Sequence, residues 1–337
     1  MKIAVIGAGL CGVASAYFLA AMSSCQVDLF DEKGLGAGAS GVATGLMHPY
    51  VGEQVRRSYL ATEGLYHTKA LLSIAQKYGE AHVADFAPLM RKVHEEEQRK
   101  AFLHHAEKYR DVECVDPNTF FLTSGMTVYT RTYLDGLLKA ALEKGVLFHI
   151  QKIQSLADLS SYDQIVVTAG FGIKGLVNAE LGNLRFVKGQ TLTCQWPGHL
   201  PPLTHTLLNK GHLAKGETQD IAYLGSTYER GVAHIGPDVE AAMKDLYPKL
   251  SALYPGVDPL PVIECRSGVR VTCKGHYLPR VGRVSQNVWV MTAMGSRGLL
   301  YHALFAKALV ESLLAGKENA LLQEVRHILP KNKLLSV

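Results

Sequence analysis

The sequence of 337 residues has no uninterrupted run of 18 or more apolar residues, which argues against a transmembrane helix. No two of its six cysteines (Cys11, Cys25, Cys114, Cys194, Cys265, Cys273) are spaced C-x-x-C, and no cysteine–histidine spacing suits zinc. No metal site is expected, and free thiols in a cytoplasmic protein are the expectation instead. No block of like charge stands out: Lys plus Arg is 35 and Asp plus Glu is 30, a formal net charge of +5. That balance permits a polyanionic partner without requiring one. There is no internal repeat and no low-complexity linker. At 47% hydrophobic residues the chain is too apolar for disorder. Its length suits about two domains. Lys2 precedes a small, apolar stretch, and Met22-Ser23-Ser24-Cys25 imitates a lipoprotein cleavage site. Glycines 7, 9 and 12 interrupt that stretch, so no signal peptide is expected.

What is present is a β-α-β opening. Periodicity predicts a strand over 2–6, a helix over 10–22 and a second strand over 26–30, the start of a doubly wound parallel sheet. Residues 34–45 are rich in glycine and alanine and read as a loop. Helical periodicity covers 53–78, and the mixed charges of 91–110 read as a solvated helix face. Residues 120–130 read as a strand pair bent at Ser124-Gly125. A helix over 133–144, a strand over 146–150 and a buried strand over 164–170 follow. The stretch 184–227 is dominated by β-type runs. A helix is predicted over 238–253, strands over 262–272 and 288–292, and a long apolar helix over 299–314.

Gly7-x-Gly9-x-x-Gly12 follows the first strand and opens the first helix. Gly7 makes the turn, Gly9 admits a pyrophosphate to the backbone, and Gly12 lets helix and strand pack; Leu10 begins the helix whose free amides face phosphate. Asp31, 19 residues after Gly12, ends the second strand where a carboxylate accepts from an adenosine ribose. Asp28 and Glu32 are alternatives, but the apolar alternation Val27, Leu29 favours Asp31. The fingerprint alone does not choose between FAD and NAD. Its position, and the second small-residue run Gly36-Ala37-Gly38-Ala39-Ser40-Gly41, favour FAD.

The segments Gly7–Gly12, Gly38–Gly45, Val166-Val-Thr-Ala-Gly170, Arg266-Ser-Gly-Val-Arg270 and Leu278-Pro-x-Val-Gly282 resemble the D-amino acid oxidase and glycine oxidase group of FAD flavoenzymes. Three further segments resemble the oxidase domain of the bifunctional tRNA-modifying MnmC family: Ala39-Ser40-Gly41 with Gly45 and Pro49, Val187–Gln190 with Gly225–Arg230, and Gly295–Leu299. The resemblance spans nearly the whole chain. It begins at the fingerprint, so the methyltransferase domain which that family fuses before its oxidase is not expected. Lys274-Gly275-His276-Tyr277 stands where the family usually has an aspartate.

The resemblance implies an α/β (α+β) two-domain flavoenzyme. A Rossmann-like FAD-binding domain, residues 1–85, 131–183 and 266–337, would carry an inserted antiparallel β-rich substrate domain, residues 86–130 and 184–265. FAD would be held without a covalent bond, since the surroundings of Cys273 do not match relatives that attach it through cysteine. Beyond the fingerprint, the resemblance places Ala39, Ser40, Gly45, Leu46, Met47, Ala169, Gly170, Gly268, Gly295, Ser296, Arg297, Gly298 and Leu299 at the cofactor. Its implied activity is oxidation of a C–N bond. The substrate would be 5-carboxymethylaminomethyluridine in the tRNA wobble position, or a small amine such as glycine, sarcosine or a D-amino acid. Molecular oxygen would be the acceptor. A carboxylate-bearing substrate calls for a planar arginine fork, and Arg270 is the candidate, with Arg297 second and Arg266 structural. Tyr228 and Tyr129 are candidates for the pocket wall, and His48 for tuning the flavin. Arg56, Arg57, Arg91 and Lys92 are the expected docking surface if tRNA is the partner.

Overall fold

The computed structural model describes residues 1–177, 184–232, 234–319 and 321–322. The expected domain ends at 183 and 337 lie outside the described residues.

The first strand, Lys2–Ile6, shows how the sequence builds the nucleotide-binding half. It is buried on both faces, with side chains alternating between two cores. Ile3 and Val5 pack with the helices Leu10–Met22, Ala61–Tyr78, Thr130–Glu143 and Gly298–Leu314. Ala4 and Ile6 face the opposite side, against Ile153, Leu159, Ile173 and Val177. Parallel neighbours extend the sheet to six strands in the order 280–283, 288–292, 164–167, 2–6, 26–31, 147–150. Only the edge strand Arg280–Arg283 runs antiparallel. This is the doubly wound arrangement that β-α-β periodicity predicts.

A nine-stranded, largely antiparallel sheet forms the second half. Its spine is the pairing of Leu184–Gln195 with Val262–Cys273, in register from Leu184 opposite Cys273 to Thr193 opposite Glu264. Strands 89–92, 112–116 and 119–122 join it through the parallel contact of Leu207–Leu208 with Met90–Arg91. The helix Val239–Leu253, capped by the Asp238 carboxylate on the Ala241 N–H at 3.0 Å, covers one face through Leu246, Leu250 and Leu253. A small sheet of 46–47, 126–128 and 84–85 lies beside these two. The fold is therefore mixed α/β, with a parallel Rossmann-like sheet and an antiparallel β-rich part inserted between its strands.

Four local expectations are corrected. The helix predicted over 53–78 begins only at Ala61. Before it, Ser58 donates both its N–H and hydroxyl to Pro49 O, Arg57 is drawn to Asp111, and Val55 and Leu60 take positive φ. The charged segment 91–110 is helical only over Glu96–Lys108, and Arg91 is a buried strand residue. The predicted bent strand pair is two strands, Thr119–Leu122 and Met126–Val128, in different sheets. The small-residue loop contains a short helix, Ala39–Val42. Among the described residues no helix is long and apolar enough to cross a membrane, and no cluster of three His, Cys, Asp or Glu is placed to hold a metal.

Gly12 is where helix and strand meet most closely. A Cβ there would stand 1.7 Å from Gly7 O and 2.7 Å from Thr168 Oγ1. Gly175, by contrast, faces open space. Gly12→Ala is expected to destabilise the fold by about 2–3 kcal/mol and Gly175→Ala by less than about 0.5 kcal/mol, read from urea unfolding midpoints. Equal midpoints would contradict the packing described.

Candidate active site

The turn after the first strand is tied by the carboxylate that ends the second. Asp31 Oδ2 accepts the Ala8 N–H at 2.8 Å, while Oδ1 accepts those of Lys33 and Gly34 at 2.9 and 3.1 Å. Glu32 is exposed and faces Lys152 at 3.4 Å, away from the turn. Gly9 and Leu10 line a cavity of about 340 Å³ together with Ala39, Ser40, Gly45 and Leu46. Ser40 Oγ accepts the Leu10 N–H at 3.1 Å. Gly170, Gly268, Gly295, Ser296, Gly298 and Leu299 complete much of the remaining wall. Gly7, Gly12 and Ala169 shape the turn behind it, and Met47 is buried in the adjoining core.

These residues fit a dinucleotide. Two helices, Leu10–Met22 and Gly298–Leu314, present their N-terminal residues to the same cavity. Free amides and the positive helix end favour negative charge there. Among the described residues no aspartate or glutamate lines the cavity, so none of them opposes a phosphate in the wall. Cys273 is buried and outside the lining.

Across the cavity stands Arg270. Its Nη2 donates to Ser226 Oγ at 2.8 Å and its Nη1 approaches Thr227 O at 3.5 Å. Both acceptors are neutral, and no carboxylate pairs with it among the described residues. Its guanidinium lies across Gly189 of the neighbouring strand, where a Cβ would stand 2.4 Å from Nη1. The 226–230 segment is fixed from behind. Thr227 Oγ1 accepts the Gln190 N–H at 2.9 Å and donates to Glu229 Oε1 at 2.6 Å. Gln190 Nε2 donates to the same carboxylate at 2.9 Å, and the buried Lys188 ammonium lies 3.5 Å from it. These contacts hold the Glu229 carboxyl below its usual range, despite the burial that opposes this.

Two histidines face the cavity. His48 accepts the Tyr50 N–H at Nδ1 (3.2 Å), so its neutral ring carries the proton on Nε2. Burial first, then the cations Arg91 and Arg297, push it down to about 3. His212 meets Thr44 Oγ1 through Nε2, and burial, then Arg270 and Lys249, lower it likewise to about 3. Both are neutral at physiological pH. Sequence reasoning singled out His48 but missed His212, Gly189 and the inward-facing Arg91. His212 had no motif around it, and it is brought to the cavity by pairing across the sheet with Gly225, beside Ser226.

Other candidates are placed elsewhere. Tyr228 is 57% exposed and absent from the cavity wall. Tyr129 is buried, donates to Gly216 O at 3.0 Å and lines a separate space of about 90 Å³. Arg297 turns away: its Nε donates to Ser58 Oγ at 3.1 Å and its Nη2 to Val51 O at 2.9 Å, with the Tyr277 ring 4.6 Å off. Arg266 pairs with Glu264 at 2.6 Å, the structural role expected of it. The expected docking set does not form a surface. Arg57 is bound to Asp111 at 2.8 Å, Arg91 is buried, and Lys92 donates to Leu253 O at 3.0 Å, leaving Arg56 exposed.

Comparison with known proteins agrees with this geometry. A bifunctional protein of tRNA 5-methylaminomethyl-2-thiouridine biosynthesis, MnmC from Maricaulis maris, is 24% identical over 93% of this chain and 52% of its own. The chain thus spans about half the length of that relative. Glycine oxidase from Geobacillus kaustophilus has the same fold, with a TM-score of 0.80 at 18% identity, covering 95% of this chain and 96% of that one. Iminodiacetate oxidase from a Chelativorans species follows at 0.78 and 17%, covering 94% and 96%. The model of the FAD dependent oxidoreductase family matches residues 2–312, and with its glycine turn and Rossmann-like sheet the chain belongs to that family of FAD-dependent enzymes.

Proposed function

We propose that this enzyme oxidises the C–N bond of an N-substituted glycine. The observation that carries the reading is Arg270: a guanidinium on a cavity wall that has no acid among the described residues, with its fork engaged by neutral acceptors. Such a group fits a substrate carboxylate bidentately. Bound non-covalently, FAD supplies the acceptor for the two electrons of the carbon–hydrogen bond next to the amine. The secondary amine R–NH–CH2–COO⁻ and one water would give R–NH2 and glyoxylate, with two electrons and two protons passing on, finally to oxygen.

The chain's own groups do the positioning. Arg270 fixes the carboxylate, and with it the methylene carbon. His48 and His212 stay neutral, so they offer hydrogen bonds without adding positive charge that would disfavour an amine losing electrons. Residues 1–85, 131–183 and 266–337 are assigned to the cofactor, and 86–130 with 184–265 to the substrate; the strand 262–273 crosses that division and carries Arg270 to the cavity.

The carrier of the glycine unit is read first as 5-carboxymethylaminomethyluridine in tRNA, on the distant likeness to MnmC. The second reading, a free small amine, is favoured by the internal engagement of Arg57, Arg91 and Lys92. Flavin bleaching without oxygen separates them. Bleaching by tRNA bearing that uridine, with glycine, sarcosine and D-alanine inert, supports the first; the reverse supports the second.

Arg270→Met is expected to keep its visible flavin absorption. Loss of two charge-assisted hydrogen bonds, about 3–4 kcal/mol, should cut kcat/KM by roughly 10²–10³-fold. Retained activity would remove Arg270 from the clamp. The pH dependence has a defined sign. His48 and His212, lowered to about 3, are uncharged in the folded state at all higher pH. kcat/KM should therefore rise with pH as the substrate amine loses its proton, with no histidine inflection near about 6.5. The unfolded chain takes up protons on these histidines below about 6.5, so stability should fall by about 1.4 kcal/mol per pH unit for each of them on acidification. An inflection near neutrality that disappears in His48→Gln would contradict this.

A further inference from the structure

Arg91 is a second cation beside the cavity that makes no ion pair with a carboxylate among the described residues, Glu95 acting on it only from a distance. It is 8% exposed and lines the cavity near His48. Nη1 donates to Asn209 O at 3.2 Å and Nη2 to Gln98 Oε1 at 2.9 Å, both neutral acceptors. Nε has no partner among the described residues. A guanidinium has five N–H donors, so three have no acceptor among the described residues, and the group's other neighbour is the Phe102 ring, 5.8 Å from Cζ. The nearest acid, Glu95, is exposed and paired at 2.8 Å with Lys210, which stands at the cavity's rim. An enclosed charge left unpaired is costly, and an anionic ligand relieves that cost.

The two guanidinium groups border one stretch of sheet. Arg270 reaches Ser226, which follows Gly225, and Gly225 pairs across to His212. Asn209, the acceptor for Arg91, belongs to the turn that closes on Gly211, immediately before His212. His212 thus adjoins both the segment that Arg270 reaches and the turn that Arg91 reaches. The cavity lining includes three cations, Arg91, Lys210 and Arg270, and no carboxylate among the described residues. A single substrate carboxylate answers only Arg270.

We infer that Arg91 forms a second oxyanion subsite, so that the preferred substrate is an N-carboxymethyl amine carrying a further anionic group. This rests on the N-substituted glycine reading, and it names the substrate class within it. The second oxyanion is either a carboxylate of a small aminodicarboxylate or a phosphate of a nucleotide.

The test uses the FAD-loaded enzyme and Arg91→Gln, with sarcosine and iminodiacetate as secondary amines that differ by one carboxylate. The second pair is the 5-carboxymethylaminomethyluridine nucleoside and its 3′,5′-bisphosphate. Wild type should prefer the more anionic member of one pair by about tenfold or more in kcat/KM, and R91Q should reduce that ratio to near one. Which pair shows the preference identifies the source. Ratios near one in wild type, or unchanged in R91Q, would overturn the subsite while leaving C–N oxidation standing. If none of the four is oxidised, the functional reading itself fails. The subsite is then still decided by flavin spectral titration of wild type with glutarate and with acetate: tighter glutarate binding by about tenfold supports it, and equal binding overturns it. The same titration serves if R91Q does not fold.

Discussion

A guanidinium kept under protein cover with no carboxylate beside it is the constraint on which this cavity depends. Arg270 is charged, and burial works against that charge. A protein that only needed stability would place an acid against it. Here a suitable acid is close by and is held elsewhere. Glu229 lies two residues after Thr227, yet its carboxylate is occupied by Thr227 Oγ1, Gln190 Nε2 and the Lys188 ammonium. The buried Lys188 ammonium thus gives Glu229 a counter-charge, while Arg270's hydrogen bonds go to Ser226 and Thr227. The strand holding Lys188 and Gln190 also contributes Gly189, whose missing side chain is the space the guanidinium occupies.

The same constraint explains the state of the histidines. A protonated ring near Arg270 or Arg91 would add repulsion in an enclosed space. The cations themselves help keep His212 and His48 neutral, after burial, which is the larger cause for each. The cavity's positive character thus comes from arginines, whose charge does not vary across physiological pH. Its hydrogen-bonding capacity comes from neutral groups.

Delivery of these groups depends on the long pairing of 184–195 with 262–273. One strand brings Gly189 and Gln190, the other Gly268 and Arg270, and Gly268 lies against Ala39 of the short helix that walls the cofactor end. A shift of one residue in that register would turn Arg270 to the other face of the sheet. The clamp and the cofactor wall are therefore placed by a single ladder, and disturbance at one end is felt at the other.

How far this was legible in sequence follows from the range of each interaction. The glycine turn, Asp31, and the strand and helix around them are local, and their periodicity and spacing are present within 30 residues. The motif that singled out Arg270 is local too, and that residue lines the cavity. Arg297, the second choice, and Tyr228, a candidate for the pocket wall, do not line it. In extended chain, neighbours alternate in direction. Ser226 and Thr227 turn toward Arg270 and Gln190, while Tyr228 points to solvent, its ring 5.7 Å from the Arg230 guanidinium. At the last helix, Gly298 and Leu299 face the cavity, while the residue before them sends its side chain to Val51 and Ser58. Proximity to a glycine turn gives the backbone's location and leaves the side chain's direction open. Arg91 shows the converse. Its charged neighbours suggested a solvated helix, but it precedes that helix and sits on a strand whose pairing with Leu208, more than one hundred residues away, turns it inward. Charge patterning describes the chain near a residue, and burial is decided by what the fold brings from far along it.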